Sequence, residues 1–157
     1  MARGAFVEET LDPILIQVTI PLPVPMIFAA WTDAARLKSW LCDDAVVEPK
    51  VGGAYRLHWA GAAAFDSPGT VTQLTPDVDL GFRWLAPPTF VALMNQPEAR
   101  TSVYVRLQES PEGVDVTLEH SGWGSGGAWE EARSWHFHFW EDRLNRLKDY
   151  LIHDAYG

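Results

Sequence analysis

Residues 128–151 form a helical pattern whose first half is crowded with aromatic side chains. The aromatic and leucine positions of this pattern are Trp129, Trp135, Phe137, Phe139, Trp140, Leu144, Leu147 and Leu151. A helix that is apolar on several faces cannot lie on a protein surface, because too much of its apolar area would contact water. The preceding chain is rich in strand patterns, so the sequence predicts a sheet that grips this helix, with room for a cavity beneath its aromatic end.

Seven stretches before the helix are rich in the β-branched and aromatic residues that are typical of strands. They are residues 14–20, 45–48, 55–59, 69–74, 79–84, 101–109 and 114–120. Residues 86–99, by contrast, contain three prolines and no clear period, so we expect a long loop there. Long loops in compact domains often act as lids, which makes residues 87–97 a candidate cover for a binding site.

Two short helices are predicted between the first and second strands. Pro25 suits the first turn of a helix over residues 26–31, and Asp33 can cap a second helix over residues 34–41. The order of strand, two short helices, further strands and one long helix indicates the α+β class with an antiparallel sheet. A chain of 157 residues is of ordinary size for one domain, so we expect a single domain over residues 1–157.

The last two strands predict a hairpin whose register follows from pairing apolar residues with apolar residues. This register places Leu107 opposite Val116, Val105 opposite Leu118, Val103 opposite His120, and Tyr104 opposite Glu119. His120 then lies on the apolar face of the sheet, at one end of its strand. A histidine in that place can anchor a polar group of a ligand or act as a general base, or it can simply bond to a nearby backbone carbonyl.

The charge balance and the cysteine content exclude several classes of function. The chain has 21 acidic and 12 basic residues and a formal net charge of -9. Nucleic acids and anionic membranes attract clustered Lys and Arg, so neither is an expected partner. The single Cys42 excludes an internal disulfide framework, and we find no pattern of a signal peptide or of a transmembrane segment. We therefore predict a cytoplasmic protein.

Three motifs that suggest cofactor, metal or thiol chemistry fit structural roles better. Residues 122–127 match the GxGxxG pattern of dinucleotide sites, but no strand follows the helix to complete such a unit. His136 and His138 point about 200° apart on a helix, so they cannot bind one metal ion together. Cys42 precedes two carboxylates, which raise the pKa of its thiol. The sequence thus predicts no cofactor and no metal site.

Several short motifs resemble those of a known family. They are residues 25–32, 37–41, 51–57, 69–74, 117–122 and 140–147. In their order and spacing the chain, over about residues 13–152, resembles homologues of the activator of the heat-shock-protein-90 ATPase. This family lies within the START-type, birch-pollen-allergen-like helix-grip superfamily. The resemblance implies a curved antiparallel sheet of about six or seven strands around the C-terminal helix, often with an internal apolar cavity.

The functions of that superfamily include ligand binding, lipid transfer, cyclisation and chaperone modulation, so the resemblance implies a fold rather than one activity. The namesake activator has a separate N-terminal domain without a counterpart in this sequence, which leaves a chaperone partner as an alternative only. Ten residues are the predicted lining of a cavity: Tyr55, Trp59, Phe82, Trp84, His120, Trp123, Trp135, His136, Phe139 and Trp140.

Three hypotheses about function follow. The first is a monomer or homodimer that binds an apolar or aromatic small molecule in this cavity. The second is an enzyme on the same fold, such as a cyclase or a hydrolase-like protein, that uses His120 as a base. The third is an interaction protein, chaperone-linked or dimerising through an exposed Trp31, an exposed Trp40 or the loop at residues 86–99.

Overall fold

The structure, a computed structural model, describes residues 11–61, 64–97 and 101–156. Its strands are β1 (Ile14–Ile20), β2 (Asp44–Val47), β3 (Ala54–Trp59), β4 (Phe65–Thr75), β5 (Asp79–Trp84), β6 (Thr101–Ser110) and β7 (Gly113–Ser121). Its α-helices are α1 (Val24–Thr32), α2 (Ala34–Leu37), α3 (Val91–Met94) and α4 (Gly127–Tyr156). Among the described residues, no helix is both long and apolar enough to span a bilayer.

The described strands form one antiparallel sheet in the order β1-β7-β6-β5-β4-β3-β2, and the long helix α4 packs against β1 and α1. The predicted α+β class and the helix-grip arrangement are therefore confirmed. The hairpin of β6 and β7 has the predicted register, with Val103 opposite His120. On the other side of β7, Ile14 of β1 is also opposite His120. The sheet thus places the His120 side chain on its buried face, between two apolar neighbours.

Strand β4 begins at Phe65, four residues before the predicted start at residue 69. Pro68 lies inside this strand although proline cannot donate a hydrogen bond to a ladder. It is tolerated because β4 pairs only with β3 at this point, and its ladder with β5 begins at Val71. Ser67 replaces part of the missing ladder, since its hydroxyl accepts a hydrogen bond from the Leu85 amide at 2.9 Å.

The stretch at residues 86–99 is not the irregular loop that the sequence predicts, and residues 98 and 99 lie outside the described part of the chain. A 3-10 turn (Pro88–Phe90) leads directly into α3. Phe90 and Met94 are buried and lie four residues apart, so a single helical turn brings both onto the core. A helix this short shows no period in the sequence, which is why the prediction was wrong.

Helix α4 is longer than the predicted residues 128–151, and it buries one face fully while Phe137 and Phe139 on either side of this face are half-buried against the core. Its fully buried side chains follow a spacing of three or four residues: Ala132, His136, Trp140, Leu144, Leu147 and Leu151. Trp135 and Phe139 lie beside this face, and 39 % of the Trp135 surface is exposed. The buried face thus presents His136 and Trp140, one turn apart, to the sheet.

Candidate functional site

His136 of α4 is held against the sheet by a tryptophan of β5. The Trp84 indole Nε1 donates a hydrogen bond to His136 Nε2 at 2.9 Å. Because Nε2 must then carry the lone pair, the ring proton lies on Nδ1, which donates to the backbone carbonyl of Ala132 at 2.7 Å. The imidazole is fully buried and is a neutral Nδ1–H tautomer.

His120 of β7 is held in the opposite tautomer by a tryptophan of α4. The Trp140 indole Nε1 donates to His120 Nδ1 at 3.0 Å. The ring proton therefore lies on Nε2, which donates to the Thr101 hydroxyl at 2.8 Å. The Trp123 indole also donates to the His120 backbone carbonyl at 2.7 Å, which fixes the end of β7.

The two hydrogen bonds between tryptophan and histidine are reciprocal, because the sheet and the helix each supply one indole and one imidazole. The two imidazole centroids lie 5.4 Å apart at an interplanar angle of 87°. Six residues make up this arrangement, which we call the Trp–His cluster: Trp84, Thr101, His120, Trp123, His136 and Trp140. All six are buried, so the cluster is a small polar network inside an apolar shell.

Burial keeps both imidazoles of the cluster neutral. Desolvation lowers the pKa of His136 to about 4, although the bond to the Ala132 carbonyl partly opposes this shift. Desolvation, with a smaller contribution from nearby His136, lowers the pKa of His120 well below its ordinary value. Both nitrogens of each ring are already engaged in hydrogen bonds, so His120 can act as a base only after the Trp140 indole has moved away.

The other predicted lining residues divide into a near group and a far group. Trp59 contacts Trp84 and Phe139 edge to face, each at a centroid distance of 5.8 Å. Tyr55 and Phe82 instead stack on each other at 4.2 Å. The Tyr55 hydroxyl donates to a backbone carbonyl of α1, so this pair ties the sheet to the short helices rather than bordering the cluster.

Two aromatic side chains cover the cluster on its outer side. Phe90 lies 5.8 Å from the His136 ring and 5.9 Å from Trp135, between ring centroids. Trp135 meets the His136 ring edge to face at 4.8 Å and stacks on Phe139 at 5.3 Å. The segment that carries Phe90 is fastened by a hydrogen bond from the Ala86 amide to the Asn95 side chain at 2.9 Å.

The structure contains clefts of about 410, 280 and 140 Å³, and none of these three is lined by a member of the cluster. The first lies between residues 11–12 and α4, and the second lies on the outer side of β2, β3 and β4. The third lies beside Trp59 and the second half of α4. In this structure the aromatic rings themselves occupy the interior between the sheet and the helix.

The glycine-rich segment, the two histidines of α4 and Cys42 suggested cofactor, metal or thiol chemistry in the sequence, and the contacts of each explain it by packing instead. A side chain at Gly124 would collide with the Trp129 indole, so this glycine allows the indole to pack closely against the backbone before α4. His136 is buried whereas the His138 side chain is 71 % exposed, and no group of described His, Cys, Asp or Glu residues is suited to a metal ion. Burial, with Asp43 and Asp44, raises the pKa of Cys42 to about 11.

The expectation that Trp31 or Trp40 is exposed for docking is wrong. These residues are only 1 % and 3 % exposed and pack edge to face at 4.6 Å. The Trp40 indole donates to the Ala30 carbonyl at 3.0 Å. Both side chains are bulky apolar groups on the inner sides of α1 and the turn after α2, so they complete the core.

A comparison with protein families places the chain. Residues 21–152 match the model described as activator of Hsp90 ATPase homolog 1-like protein. The chain belongs to this family. The resemblance seen in the sequence motifs is thereby confirmed, and a comparison with curated proteins found no match.

Solved structures share the fold of this family member at low sequence identity. A Mesorhizobium loti protein has a TM-score of 0.73 at 18 % identity, over 92 % of this chain and 98 % of that one. A Nitrosomonas europaea protein has a TM-score of 0.73 at 17 % identity, over 91 % and 96 %. A Staphylococcus aureus protein of unknown function has a TM-score of 0.75 at 15 % identity, over 96 % and 98 %. These likenesses concern the fold alone.

Sequence reasoning missed Thr101 and Phe90, which the structure places at the site of this family member. The sequence could have predicted the contact of Thr101 with His120, because the hairpin register pairs Val103 with His120 and Thr101 lies two residues before Val103, on the same face. Phe90 had no signal, since its position depends on how the proline-rich segment folds back over α4.

Trp140 and Trp135 provide a matched pair of substitutions in one helix. Replacing buried Trp140 by Ala should lower the free energy of unfolding by about 3–5 kcal/mol, because it opens a cavity. Trp140→Phe should cost about 1–3 kcal/mol, since His120 Nδ1 loses its donor in a buried place. Trp135→Ala should cost only about 1 kcal/mol, because this ring stacks at the surface. Urea unfolding followed by circular dichroism measures all three, and equal losses at both positions would contradict the assigned burial.

The pH dependence of stability tests the neutral state of His136. Its pKa is about 4 in the folded protein and about 6.5 in the unfolded chain. The unfolded state therefore binds more protons, so the stabilisation is complete above the unfolded value and is lost as the pH falls. Between about pH 7 and pH 5 this histidine alone should remove about 2 kcal/mol of stability, and His120 adds a loss in the same direction.

The variant His136→Gln tests this assignment, and His138→Gln, at an exposed position of the same helix, is its control. The first variant should be less stable at neutral pH but should lose about 2 kcal/mol less than the wild type between about pH 7 and pH 5. The control should keep the wild-type dependence. Urea unfolding at several pH values measures this, and parallel curves for all three proteins would contradict the assignment.

Proposed function

We propose that this protein binds a small apolar or aromatic molecule between the sheet and the first half of α4, on the Trp–His cluster. The observation that carries the proposal is a pair of neutral imidazoles, buried among indoles and covered on the outside by Phe90 and Trp135. Sites for small molecules are mostly apolar with a few polar groups that fix orientation, and this composition matches. Membership of a family with the helix-grip fold is consistent with the proposal.

The ligand reaches the cluster by displacing its cover. Phe90 belongs to a segment of two short helical turns. The buried side chains of Phe90 and Met94 and the Ala86–Asn95 hydrogen bond attach this segment to the core. Trp135 is partly exposed and can change rotamer at the surface. Because the uncovered state is a minor population, the apparent affinity is lower than the intrinsic affinity by the uncovered fraction. Loosening the cover should therefore strengthen binding.

The ten predicted lining residues have unequal roles in this proposal. The direct contacts come from the cluster and from its aromatic neighbours: Trp59, Trp84, His120, Trp123, Trp135, His136, Phe139 and Trp140. Tyr55 and Phe82 do not contact the ligand and support the site indirectly, by packing the sheet against the short helices. A polar group of the ligand would replace an indole as the hydrogen-bond partner of His120 or His136, because a buried imidazole without a partner costs free energy.

The other two functional hypotheses gain less support. An enzyme that uses His120 as a base needs the Trp140 bond to break first, and the lowered pKa makes this imidazole a weak base. A docking surface on Trp31 and Trp40 is excluded by their burial. The single-domain organisation over residues 1–157, the cytoplasmic location and the monomeric or homodimeric state stay predictions.

Thermal unfolding with a panel of neutral apolar and aromatic metabolites tests the proposal. A ligand at about a hundred times its dissociation constant should add about 2.7 kcal/mol and raise the melting temperature measurably. The same ligand should quench tryptophan fluorescence, because Trp84, Trp123 and Trp140 border the site. Phe90→Ala should bind it several-fold more tightly than the wild type, since the cover is weakened.

Val91→Ala is the matched control, because Val91 lies next to Phe90 but is 44 % exposed. Its affinity should equal that of the wild type. N-phenyl-1-naphthylamine, a neutral dye that fluoresces in apolar surroundings, provides an independent probe of the same variants. If no compound stabilises the protein and the dye binds neither the wild type nor Phe90→Ala, the proposal is wrong.

A further inference from the structure

The smallest of the three clefts lies between the turn after α2 and the second half of α4, and its side chains are mainly polar. It has a volume of about 140 Å³. Lys38, Arg143 and Arg146 line it together with Trp59 and Asp43, and we call it the basic cleft. It lies outside the Trp–His cluster, although Trp59 also belongs to the binding site proposed above. Three of the 12 basic residues of an acidic chain thus converge on one small space.

Arg143 is unusually placed for a cation on a helix. Its side chain is 16 % exposed, and its guanidinium carbon lies 4.8 Å above the centre of the Phe139 ring. Nη1 donates to the Asp142 carboxylate at 2.8 Å. Nε is sealed from solvent and has no hydrogen-bond partner among the described residues. A buried donor without an acceptor is costly, but Nε is out of reach of an anion in the cleft, so such an anion would be bound by the outer nitrogens of this guanidinium.

The carboxylates beside the cleft do not balance its cations. Asp142 is shared, because Arg146 Nε also contacts it at 2.9 Å. The Asp43 carboxylate accepts a hydrogen bond from the Ala60 amide at 2.7 Å. Lys38 forms no ion pair within the part of the chain that the structure describes. Three cations therefore face two carboxylates, which leaves one positive charge in excess.

We propose that the basic cleft binds a small oxyanion, either a phosphate group or a carboxylate group. Arg143 and Arg146 offer planar guanidinium groups that suit the oxygens of such anions, and Lys38 adds a point charge. The volume is small enough to favour a single charged group over a whole metabolite. Trp59 lines the cleft and also contacts Phe139, so the anion is either free or the head group of an aromatic molecule.

Isothermal titration calorimetry with inorganic phosphate tests the proposal, at an ionic strength held constant with chloride. The wild type should show one saturable site. Arg146→Gln should weaken binding by a factor of about ten to a hundred, the usual effect of losing a charge-assisted hydrogen bond. Asp142→Asn should strengthen binding several-fold, because it removes the competing carboxylate. The control Arg83→Gln makes the same change of net charge at an exposed position of β5 and should leave the affinity unchanged.

Arg146 is 59 % exposed, so its replacement leaves the core intact and the result does not depend on a folding defect. Phenyl phosphate and phenylacetate distinguish the source of the anion. If they bind at least tenfold more tightly than phosphate and acetate, and Trp59→Phe removes this difference, the anion is the head group of an aromatic ligand. Equal affinities assign the cleft to a free anion.

Two results would overturn the proposal: no saturable binding of any of these anions to the wild type, or equal affinities in Arg146→Gln and Arg83→Gln. Neither result bears on the Trp–His cluster. N-phenyl-1-naphthylamine is neutral, so its binding should be the same in Arg146→Gln and in the wild type.

Discussion

Two indole N–H groups, those of Trp84 and Trp140, donate hydrogen bonds to two buried imidazoles, and the placement of α4 depends on these bonds. Each bond joins the sheet to the helix, and the two run in opposite directions. Apolar contacts alone would let α4 slide along the sheet, since they have little directional preference. The indole bonds fix its depth and rotation, because a shift of one residue would leave four buried polar atoms without partners. The same small network therefore stabilises the packing of α4 on the sheet and selects one position of the helix.

Much of this network follows from sequence periodicity. The hairpin register puts His120 on the buried face of the sheet, and helical spacing puts His136 and Trp140 on one face of α4. The pairing of each indole with a particular nitrogen depends on the distance between the sheet and the helix, which no local pattern encodes. The cover is less predictable still, because Phe90 sits in a helical turn too short to have a period. Trp135 lies beside the buried face rather than on it, a difference of one residue in the helical phase.

The cluster and the basic cleft are neighbours along α4. Phe139 stacks on Trp135 over the cluster and carries the Arg143 guanidinium on its own ring. Trp59 contacts Phe139 and lines the cleft. One row of aromatic side chains therefore connects an apolar interior, which contains two neutral imidazoles, with a cationic surface site. If both proposals hold, the ligands favoured by this arrangement are aromatic or apolar molecules with one anionic group.

The most direct measurement is a long-range proton–nitrogen NMR spectrum of the histidine rings over a range of pH. We expect that His136 is protonated at Nδ1 and His120 at Nε2, and that neither ring gains a proton as the pH falls to about 5. We also expect slowly exchanging indole protons on Trp84 and Trp140, since both are buried and hydrogen-bonded. A ring that titrates near its ordinary value, or two rings in the same tautomer, would contradict the reciprocal bonds on which the proposed site rests.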